Sequence, residues 1–274
     1  MNPRVSKTLC LLVGATLVAS LTSYAQGRGQ FRGGGRQRFP AATLATADSF
    51  DGGFQFCRLA YSGRAWATDY PDADYNFSTR LSELTKIAVS KSPGGEVLPQ
   101  IVRPIDDALF KCPFVMMWQL ESFWVSDEDA ARLRQYLLKG GFLWADDSWG
   151  SDAWQNFEYE MAKVLPGPQY RFTDIAPPHP MYRTFFDLPR VPQIPAISYW
   201  LNSGGDTSER GADSAVVTVR GIADEQGRLM VLATHNTDVA DGWEREGVDA
   251  RYFRQFSIDS YAVGINVMLY TMTH

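Results

Sequence analysis

The sequence lacks the short motifs that most readily reveal an enzyme. It contains no phosphate-binding loop, no Rossmann glycine fingerprint, no Gly-x-Ser-x-Gly turn and no His-Glu-x-x-His zinc motif. Histidine and cysteine are also scarce, with three of each in 274 residues. These absences exclude the easiest enzyme assignments without excluding catalysis itself. They favour a chain that is not an enzyme and that carries no cofactor or metal ion.

Two cysteines remain when the N-terminal Cys10 is set aside. Cys57 and Cys112 each stand among mostly apolar residues, and neither has a histidine close in sequence that would activate it. The sequence therefore marks no nucleophilic thiol. The two cysteines could pair in an oxidising compartment, but a single spacing says little about pairing. Their apolar neighbours favour two buried free thiols over a disulfide bridge.

The first 25 residues have the pattern of a Sec signal peptide. A positively charged start is followed by an apolar stretch from Thr8 to Leu21, which is too short to span a bilayer stably. Small residues at Ser23 and Ala25 occupy the two positions that signal peptidase reads, which predicts a mature chain beginning at Gln26. We therefore expect a periplasmic or extracellular protein with no transmembrane segment after cleavage. The alternative is an uncleaved membrane anchor.

Charge divides the remaining chain into a basic tail and an acidic domain. Residues 26–50 form a Gly/Arg-rich linker that we expect to be disordered, and residues 51–274 form a single domain. From Asp48 onward the chain holds all 31 acidic residues but only 20 of the 26 Lys+Arg, a formal charge of −11. Such an acidic domain disfavours nucleic acid as a partner. The basic tail either contacts an anionic lipid or polymer or is a solvated tether.

Strand and helix patterns alternate along the domain, which predicts an α/β fold. Residues 54–61, 114–118 and 142–145 have the apolar character of strands, and residues 96–102 form a weaker candidate. Residues 215–220 and 228–234 are typical of a hairpin or of adjacent strands. The alternation indicates a mostly parallel central sheet with right-handed crossovers and flanking helices.

The predicted helices have recognisable start and stop signals. The first begins at a cap on Asn76 or Ser78 and ends at Pro93-Gly94-Gly95. The second begins at Ser126 and ends at Gly140-Gly141. Two further helices cover residues 152–164 and 261–270. The apolar stripe of the first helix comprises Phe77, Leu81, Leu84 and Ala88.

Polar side chains follow several of the predicted strands, at the edge where parallel sheets bind their ligands. Asp146 and Asp147 come directly after one strand, His235 follows another, and the loop after the first strand holds Asp69 and Tyr70. If these loops converge, they form an acidic cleft with aromatic walls. The candidate ligand-binding residues are Trp66, Asp69, Tyr70, Asp74, Asp146, Asp147, Trp149, His179 and His235.

Each candidate also has a purely structural interpretation. The Asp146-Asp147 pair either caps the next helix or acts as paired carboxylates, because closely placed acids have split proton affinities or need a counter-cation. His179 is either part of a turn, with its imidazole bonded to the backbone, or part of the site. His235 closes a metal site with Asp146 or Asp147 only if folding brings these residues together.

The domain resembles a bacterial family known as domain of unknown function 4159. The resemblance covers about Phe54 to His274 and rests on short motifs that are specific only when taken together. They are Phe56-Cys57-Arg58-Leu59-Ala60-Tyr61; Trp66 with Asp69-Tyr70-Pro71; Asp74-Tyr75-Asn76-Phe77 with Arg80-Leu81; Gly140-Gly141-Phe142-Leu143; Asp146-Asp147-Ser148-Trp149-Gly150; His179-Pro180; Gly227-Arg228-Leu229-Met230-Val231-Leu232; Asn236-Thr237-Asp238; and Tyr261-x-x-Gly264-Ile265-Asn266.

The resemblance implies a fold similar to that of the class I glutamine amidotransferases, a flavodoxin-type three-layer sandwich. In that fold a catalytic cysteine stands on the sharp turn after the strand that corresponds to residues 142–145. This chain has Ala145-Asp146-Asp147 there, with no thiol or hydroxyl group before Ser148. Glutamine hydrolysis by a cysteine nucleophile is therefore not expected, and a fold alone implies no activity.

Three functions are compatible with the sequence. The leading hypothesis is a non-catalytic module of the cell envelope that binds a partner protein, a glycan or a small polar ligand. The alternative is a carboxylate- or metal-dependent hydrolase that acts on an envelope sugar or peptide polymer. The third is a structural or interaction module in which the aspartates only hold loops in place.

Overall fold

The computed structural model describes residues 43–274. The predicted signal peptide, residues 1–25, and most of the predicted linker, residues 26–50, lie outside the described residues. Contacts with the sheet begin at Leu44, which forms a β-bridge with Ile101, ahead of the predicted first strand at Phe54. Within residues 43–274, no helix combines the length and the apolar character needed to cross a membrane.

Seven strands form one sheet whose central part is parallel. The order across the sheet is β2-β1-β3-β4-β7-β6-β5, in which β6 pairs antiparallel with β7 and with β5 and all other pairs are parallel. The predicted α/β fold is therefore confirmed. The strands are β1 (Cys57–Leu59), β2 (Gln100–Val102), β3 (Phe114–Met117), β4 (Phe142–Ala145), β5 (Thr173–Asp174), β6 (Thr218–Ala223) and β7 (Leu229–His235).

Helices follow and connect these strands. The α-helices are α1 (Asp72–Leu84), α2 (Asp127–Leu138), α3 (Gly150–Val164), α4 (Ile197–Asn202), α5 (Asp241–Glu244), α6 (Ala250–Tyr252) and α7 (Ile258–Thr273). A π-helical turn, Phe253–Ser257, joins α6 to α7. Short 3-10 helices cover Ala47–Ser49, Ala65–Ala67, Asp107–Lys111, Leu120–Ser122, Pro180–Arg183 and Gly211–Ser214.

The sheet has a hydrophobic core on each face, which makes three layers. Leu143 of β4 packs in one core with Phe157 of α3, and the next residue, Trp144, packs in the other core with Phe77 of α1 and Ile265 of α7. Successive side chains of a strand point to opposite faces, so a strand that is apolar throughout needs helices on both sides. The specific similarity to the amidotransferase fold stays a prediction.

Helix α1 begins and ends earlier than the sequence predicts. Its first residue is Asp72, preceded by Pro71 at the N-cap, so the predicted caps Asn76 and Ser78 lie inside the helix. It ends at Leu84, and the predicted end at residues 93–95 is wrong. The backbone of residues 88–90 pairs instead with Phe54, whose nitrogen donates to Ala88 O at 2.8 Å. Tertiary pairing has overridden the local helical pattern.

A disulfide joins Cys57 to Cys112, so the expectation of two free thiols is wrong. Cys57 begins β1 and Cys112 stands just before β3, the strand beside β1 in the sheet. This neighbourhood brings the two Cα atoms to 6.1 Å, within the range that a disulfide needs. The sequence could not predict the pairing because it does not show which strands are neighbours.

Helix α7 packs unusually close to its neighbours at Gly264. A Cβ atom at this position would stand 2.5 Å from Trp243 Cζ2 and 2.6 Å from Phe77 Cε2. Only glycine therefore allows α7 to approach α1 and α5 this closely. The contact packs Trp243, which lies between Asp241 and Glu244 in α5, against Phe77 of α1.

Candidate functional site

The loops that follow four neighbouring strands reach the same edge of the sheet. β1, β3, β4 and β7 are adjacent and parallel, so their carboxyl ends point the same way. Each of these loops holds one of the four non-glycine residues with a left-handed backbone in the described part of the chain. Such residues persist only where surrounding contacts hold them, and they are frequent at binding and catalytic sites. They are Asp69 (φ 60°), Gln119 (φ 58°), Asp147 (φ 51°) and Asn236 (φ 62°).

Hydrogen bonds between these loops hold three of them together. Gln119 N donates to Asp147 O at 3.1 Å, and Asn236 N donates to Ser148 O at 2.7 Å. Gly150 N in turn donates to Asn236 Oδ1 at 2.9 Å. The loops after β3, β4 and β7 therefore form one connected unit whose backbone strain is supported from several sides.

Asp146 does not cap the next helix, because the N-cap of α3 is Trp149 and no side chain caps it; it holds loops in place instead. It is fully buried, and its carboxylate accepts hydrogen bonds from Thr234 Oγ1 and, at 3.0 Å, from Ala240 N. Burial raises the pKa of Asp146, and these hydrogen bonds oppose that rise. Because both carboxylate oxygens are occupied, Asp146 ties the turn after β4 to the loop after β7.

Asp147 stands on the turn where β4 passes directly into α3. Its Oδ1 accepts a hydrogen bond from Trp149 Nε1 at 3.1 Å, and its Oδ2 accepts one from Gln119 Nε2. Burial raises the pKa of Asp147 to about 8, and the charges of nearby acids, including Asp146, add to the rise. A strained turn between a strand and a helix is also the geometry in which some hydrolases present a nucleophile. Here the turn presents a carboxyl group held by two donors.

Three further carboxyl groups converge at this edge. Asp69 comes from the loop after β1, and Asp241 and Glu244 come from α5; each offers an oxygen within 4.8 Å of the others. Arg245 Nη2 lies 2.7 Å from Glu244 Oε1, and Arg245 Nε lies 3.7 Å from Asp241 Oδ1. Asp69 Oδ2 and Glu244 Oε2 are buried and have no hydrogen-bond partner in residues 43–274. We call Asp69, Gln119, Asp147, Asp238, Asp241 and Glu244 the acidic edge.

The carboxyl groups of the acidic edge raise one another's pKa values. Burial raises the pKa of Asp69 well above its usual value, and the charges of Glu244, Asp241 and Asp147 add to the effect. Burial likewise raises the pKa of Glu244 to about 7. Burial raises the pKa of Asp238 well above its usual value, and the charges of Asp147, Asp69 and Asp241 add to the rise. The edge therefore favours a ligand that brings positive charge or hydrogen-bond donors.

Asp74 belongs to a separate ion pair beneath the loop after β1. Arg58 Nε lies 3.0 Å from Asp74 Oδ2, and both side chains are fully buried. Arg58 Nη1 donates to the carbonyl oxygens of Trp66 and Thr68 at 2.8 and 2.7 Å, and the guanidinium lies 3.6 Å from the ring centre of Trp118. Asp74 is thus engaged in holding the loop and does not reach the acidic edge.

The aromatic candidates lie next to the acidic edge. Trp66 and Tyr70 are half-buried, with ring centres 6.2 Å apart, and Tyr70 directly follows Asp69. Trp149 is also half-buried and is bonded to Asp147. These rings supply the partly apolar surface that the sequence predicted beside the acids.

His179 lies outside the acidic edge. Its Nδ1 accepts a hydrogen bond from Met181 N at 3.3 Å, in the turn that one interpretation of the sequence predicted. Its ring centre is 5.2 Å from that of Tyr270, near the C-terminal end of α7. Ser260, at the other end of α7, bonds to Val239 in the loop after β7, so most of the helix length separates His179 from the edge.

His235 also stands apart, at the end of β7. Its Nε2 is 2.9 Å from Gly150 O, and its Nδ1 is 3.2 Å from Thr218 Oγ1. Its ring packs against Trp154 and lines a separate cavity of about 300 Å³ that also contacts Arg220. Within residues 43–274, neither His179 nor His235 lies close enough to a group of acids to share a metal ion with them, so His235 does not close a metal site with Asp146 or Asp147.

Four residues of the acidic edge, Gln119, Asp238, Asp241 and Glu244, are not among the candidates from the sequence, although the sequence holds signals for them. Gln119 follows β3 just as Asp146 follows β4, so the strand-end rule applies to it equally. Asp241 and Glu244 are three residues apart in a helix shortly after β7, a spacing that places both on one face. Recognising them required knowledge that β1 and β7 end at the same edge.

Comparison with known proteins assigns the chain to a family. No curated protein matches the sequence in a similarity search. A family profile described as Domain of unknown function (DUF4159) matches residues 55–272, which include the whole acidic edge and every strand of the sheet. The chain therefore belongs to the DUF4159 family of domains.

Proposed function

We propose that this chain is an exported, non-catalytic binding domain of the cell envelope, and that the acidic edge holds a small hydroxyl-rich ligand such as the end of a glycan. Export is supported by the signal-like N-terminus and by the Cys57–Cys112 disulfide, because disulfides persist mainly in oxidising compartments. The observation that carries the binding role is the strained edge with its unpartnered carboxylate oxygens.

The chemistry of the edge favours hydroxyl donors. Ionised carboxylates only accept hydrogen bonds, so Asp69 and Glu244 lack the donors that ligand hydroxyl groups would supply. The half-buried rings of Tyr70 and Trp149 offer flat apolar surface beside them, which suits the carbon face of a sugar ring. Repulsion by the acids disfavours phosphate or carboxylate ligands.

A binding role fits Asp147 better than a catalytic one. A carboxylate nucleophile must be ionised, whereas burial shifts the pKa of Asp147 upward and two donors occupy its oxygens. The side chain is well suited to hold Gln119 and Trp149 in fixed positions. Preorganised side chains of this kind lower the entropic cost of binding a ligand.

The test is a ligand screen by thermal shift followed by calorimetry. Neutral and amino sugars and their short oligomers should raise the unfolding temperature, because a ligand of the native state stabilises it, and acidic sugars should not. Asp147→Asn with Trp149→Ala should weaken every hit at least tenfold, whereas Asp187→Asn, an exposed acid elsewhere, should leave affinity unchanged. Ligands that bind equally well to the Asp147→Asn/Trp149→Ala variant and to Asp187→Asn would show that the acidic edge is not the binding site.

A carboxylate-dependent hydrolase of an envelope polymer is the second candidate. Its support is Glu244, whose pKa of about 7 suits a general acid at neutral pH, close to other acids on a strained edge. A turnover assay distinguishes the two candidate functions. A hydrolase must release product from a glycoside, ester or peptide substrate, and the variant Glu244→Gln must abolish this release. Binding without release by the unmodified chain favours the binding domain.

A further inference from the structure

Two buried oxygens in the acidic edge have no hydrogen-bond donor when the acids that carry them are ionised. Asp69 as a residue is half-buried, but its carboxyl group is enclosed and faces that of Glu244. Asp69 Oδ2 and Glu244 Oε2 find no donor among the described residues. An unsatisfied buried polar group costs of order 1–3 kcal/mol, and more when it is charged. A folded protein keeps such groups where something else satisfies them.

The remaining oxygens of this group are held in place by neighbours. Asp241 Oδ2 accepts hydrogen bonds from Ile197 N at 2.7 Å and from Tyr252 Oη at 2.9 Å. Glu244 Oε1 is paired with Arg245 Nη2 at 2.7 Å. Tyr252 directly precedes the π-helical turn, a feature that is frequent at functional sites. These contacts leave Asp69 Oδ2 and Glu244 Oε2 without a donor, whereas Asp241 Oδ1 lies 3.7 Å from Arg245 Nε.

The charge of the group matches a divalent cation. Asp69, Asp241 and Glu244 contribute three negative charges when ionised, and Arg245 contributes one positive charge. One divalent cation would neutralise the remainder. Burying carboxylates without such compensation is strongly unfavourable.

The size and chemistry of the group indicate which cation. The candidate ligand atoms all lie within 4.8 Å of one another. Ca²⁺ accepts several carboxylate oxygens at about 2.3–2.6 Å in flexible geometry, whereas Mg²⁺ demands near-ideal octahedral geometry and is usually held by only one or two carboxylates. The group offers only carboxylate oxygens, which hard cations prefer and which suit zinc or copper poorly.

We infer that Asp69, Asp241 and Glu244 bind one Ca²⁺-sized hard divalent cation, which orders the loop after β1 against α5. This inference rests on the proposed function, because it makes the cation part of the same binding edge. The bound cation would supply the partner that Asp69 Oδ2 and Glu244 Oε2 lack. Its remaining coordination positions would accept oxygens from water or from the hydroxyl groups of the ligand.

The experiment is a calorimetric titration of the purified, chelator-treated chain with Ca²⁺ and, separately, with Mg²⁺. We expect one Ca²⁺ per chain, weaker binding of Mg²⁺ and a higher unfolding temperature with Ca²⁺. Asp69→Asn and Glu244→Gln should each lower Ca²⁺ affinity at least tenfold. The matched controls Asp187→Asn and Glu225→Gln alter exposed acids elsewhere and should bind as the unmodified chain does.

Three results would overturn the inference: no Ca²⁺ uptake by the folded, unmodified chain; unchanged affinity in both edge variants; or tighter binding of Mg²⁺ than of Ca²⁺. If circular dichroism shows that one of the two variants Asp69→Asn and Glu244→Gln fails to fold, the Ca²⁺ affinity of the other variant decides between the outcomes. Ca²⁺ uptake without any saccharide binding would keep this inference and remove the proposed function. Saccharide binding without Ca²⁺ uptake would keep the proposed function and overturn this inference.

Discussion

Two groups of buried charge meet the same loop, and they are organised in opposite ways. In the Arg58–Asp74 pair, both carboxylate oxygens accept from the guanidinium, which also donates to the backbone of the loop and lies over Trp118. In the acidic edge, Asp69 and Glu244 keep oxygens that no group in residues 43–274 satisfies. A satisfied pair supports a fold, whereas an unsatisfied group is a cost that a ligand can remove.

The largest expected effect comes from breaking the satisfied pair. Asp74→Asn leaves the buried guanidinium of Arg58 without its counter-charge, and the free energy of unfolding should fall by ~3–5 kcal/mol in urea denaturation. The double variant Arg58→Met with Asp74→Leu should recover much of this loss, because it removes both charges. A single variant that costs less than about 1 kcal/mol would contradict the contrast between the two groups.

The disulfide beside this pair should have the next largest effect. Cys57 precedes Arg58 on β1 and closes a long loop to Cys112, with a sequence separation of 55. Cys57→Ala with Cys112→Ala should lower the free energy of unfolding by ~2–4 kcal/mol, mainly because the unfolded chain is less constrained. Reduction of the unmodified chain during urea denaturation should give a similar loss. Saccharide and Ca²⁺ affinity at the acidic edge should change little, which separates stability from binding.

Local sequence patterns predict most of the fold but not its neighbour relations. Ser126 caps α2 as predicted, through a hydrogen bond from Asp129 N, and the apolar run of β4 lies between two helical layers as its composition indicates. The end of α1 and the disulfide were both predicted wrongly. Each depends on a strand that is distant in sequence: Phe54 pairs with Ala88, and β1 lies beside β3. Periodicity carries no information about such pairings.

Gly264 bears on the comparison because it packs against Trp243, the residue before Glu244 of the acidic edge. Gly264→Ala would push a methyl group into Trp243 and Phe77, and the free energy of unfolding should fall by ~1–3 kcal/mol. Trp243 directly precedes Glu244, so the same change should weaken Ca²⁺ binding. Thr273→Ala, at an exposed position of the same helix, is the control and should stay within about 0.5 kcal/mol of the unmodified chain. Equal thermal stability of the two variants would show that the close contact is not needed.

The sequence predicts part of the candidate site for the same reason that it predicts part of the fold. Asp69, Tyr70, Asp147 and Trp149 stand in strand-end loops, and the rule for parallel sheets finds them without a structure. Which of the two aspartates after β4 is structural depends on Thr234 and Ala240, which are distant in sequence.

Asp147 should make the stability of the folded chain depend on pH. Its pKa is about 8 in the folded chain and near 4 when unfolded, so the folded state holds the proton more tightly between these values. The contribution of this group is therefore fully present below about pH 4 and is lost as the pH rises towards 8. Asp147→Asn mimics the protonated carboxyl group. With a chelator present to remove metal ions, the free energy of unfolding of this variant should therefore fall less steeply between pH 5 and 8 than that of the unmodified chain. Between pH 5 and 7 the slopes of the variant and of the unmodified chain should differ by up to about 1.4 kcal/mol per pH unit.

Urea denaturation at a series of pH values measures this difference, with Asp187→Asn as the control because its side chain is 91% exposed. The control should follow the unmodified chain at every pH. If Asp147→Asn also runs parallel to the unmodified chain, the carboxyl group of Asp147 is ionised in the folded state at neutral pH. The acidic edge would then keep Asp147 ionised at neutral pH without a bound ligand. Only the unsatisfied oxygens of Asp69 and Glu244 would then distinguish the acidic edge from the Arg58–Asp74 pair.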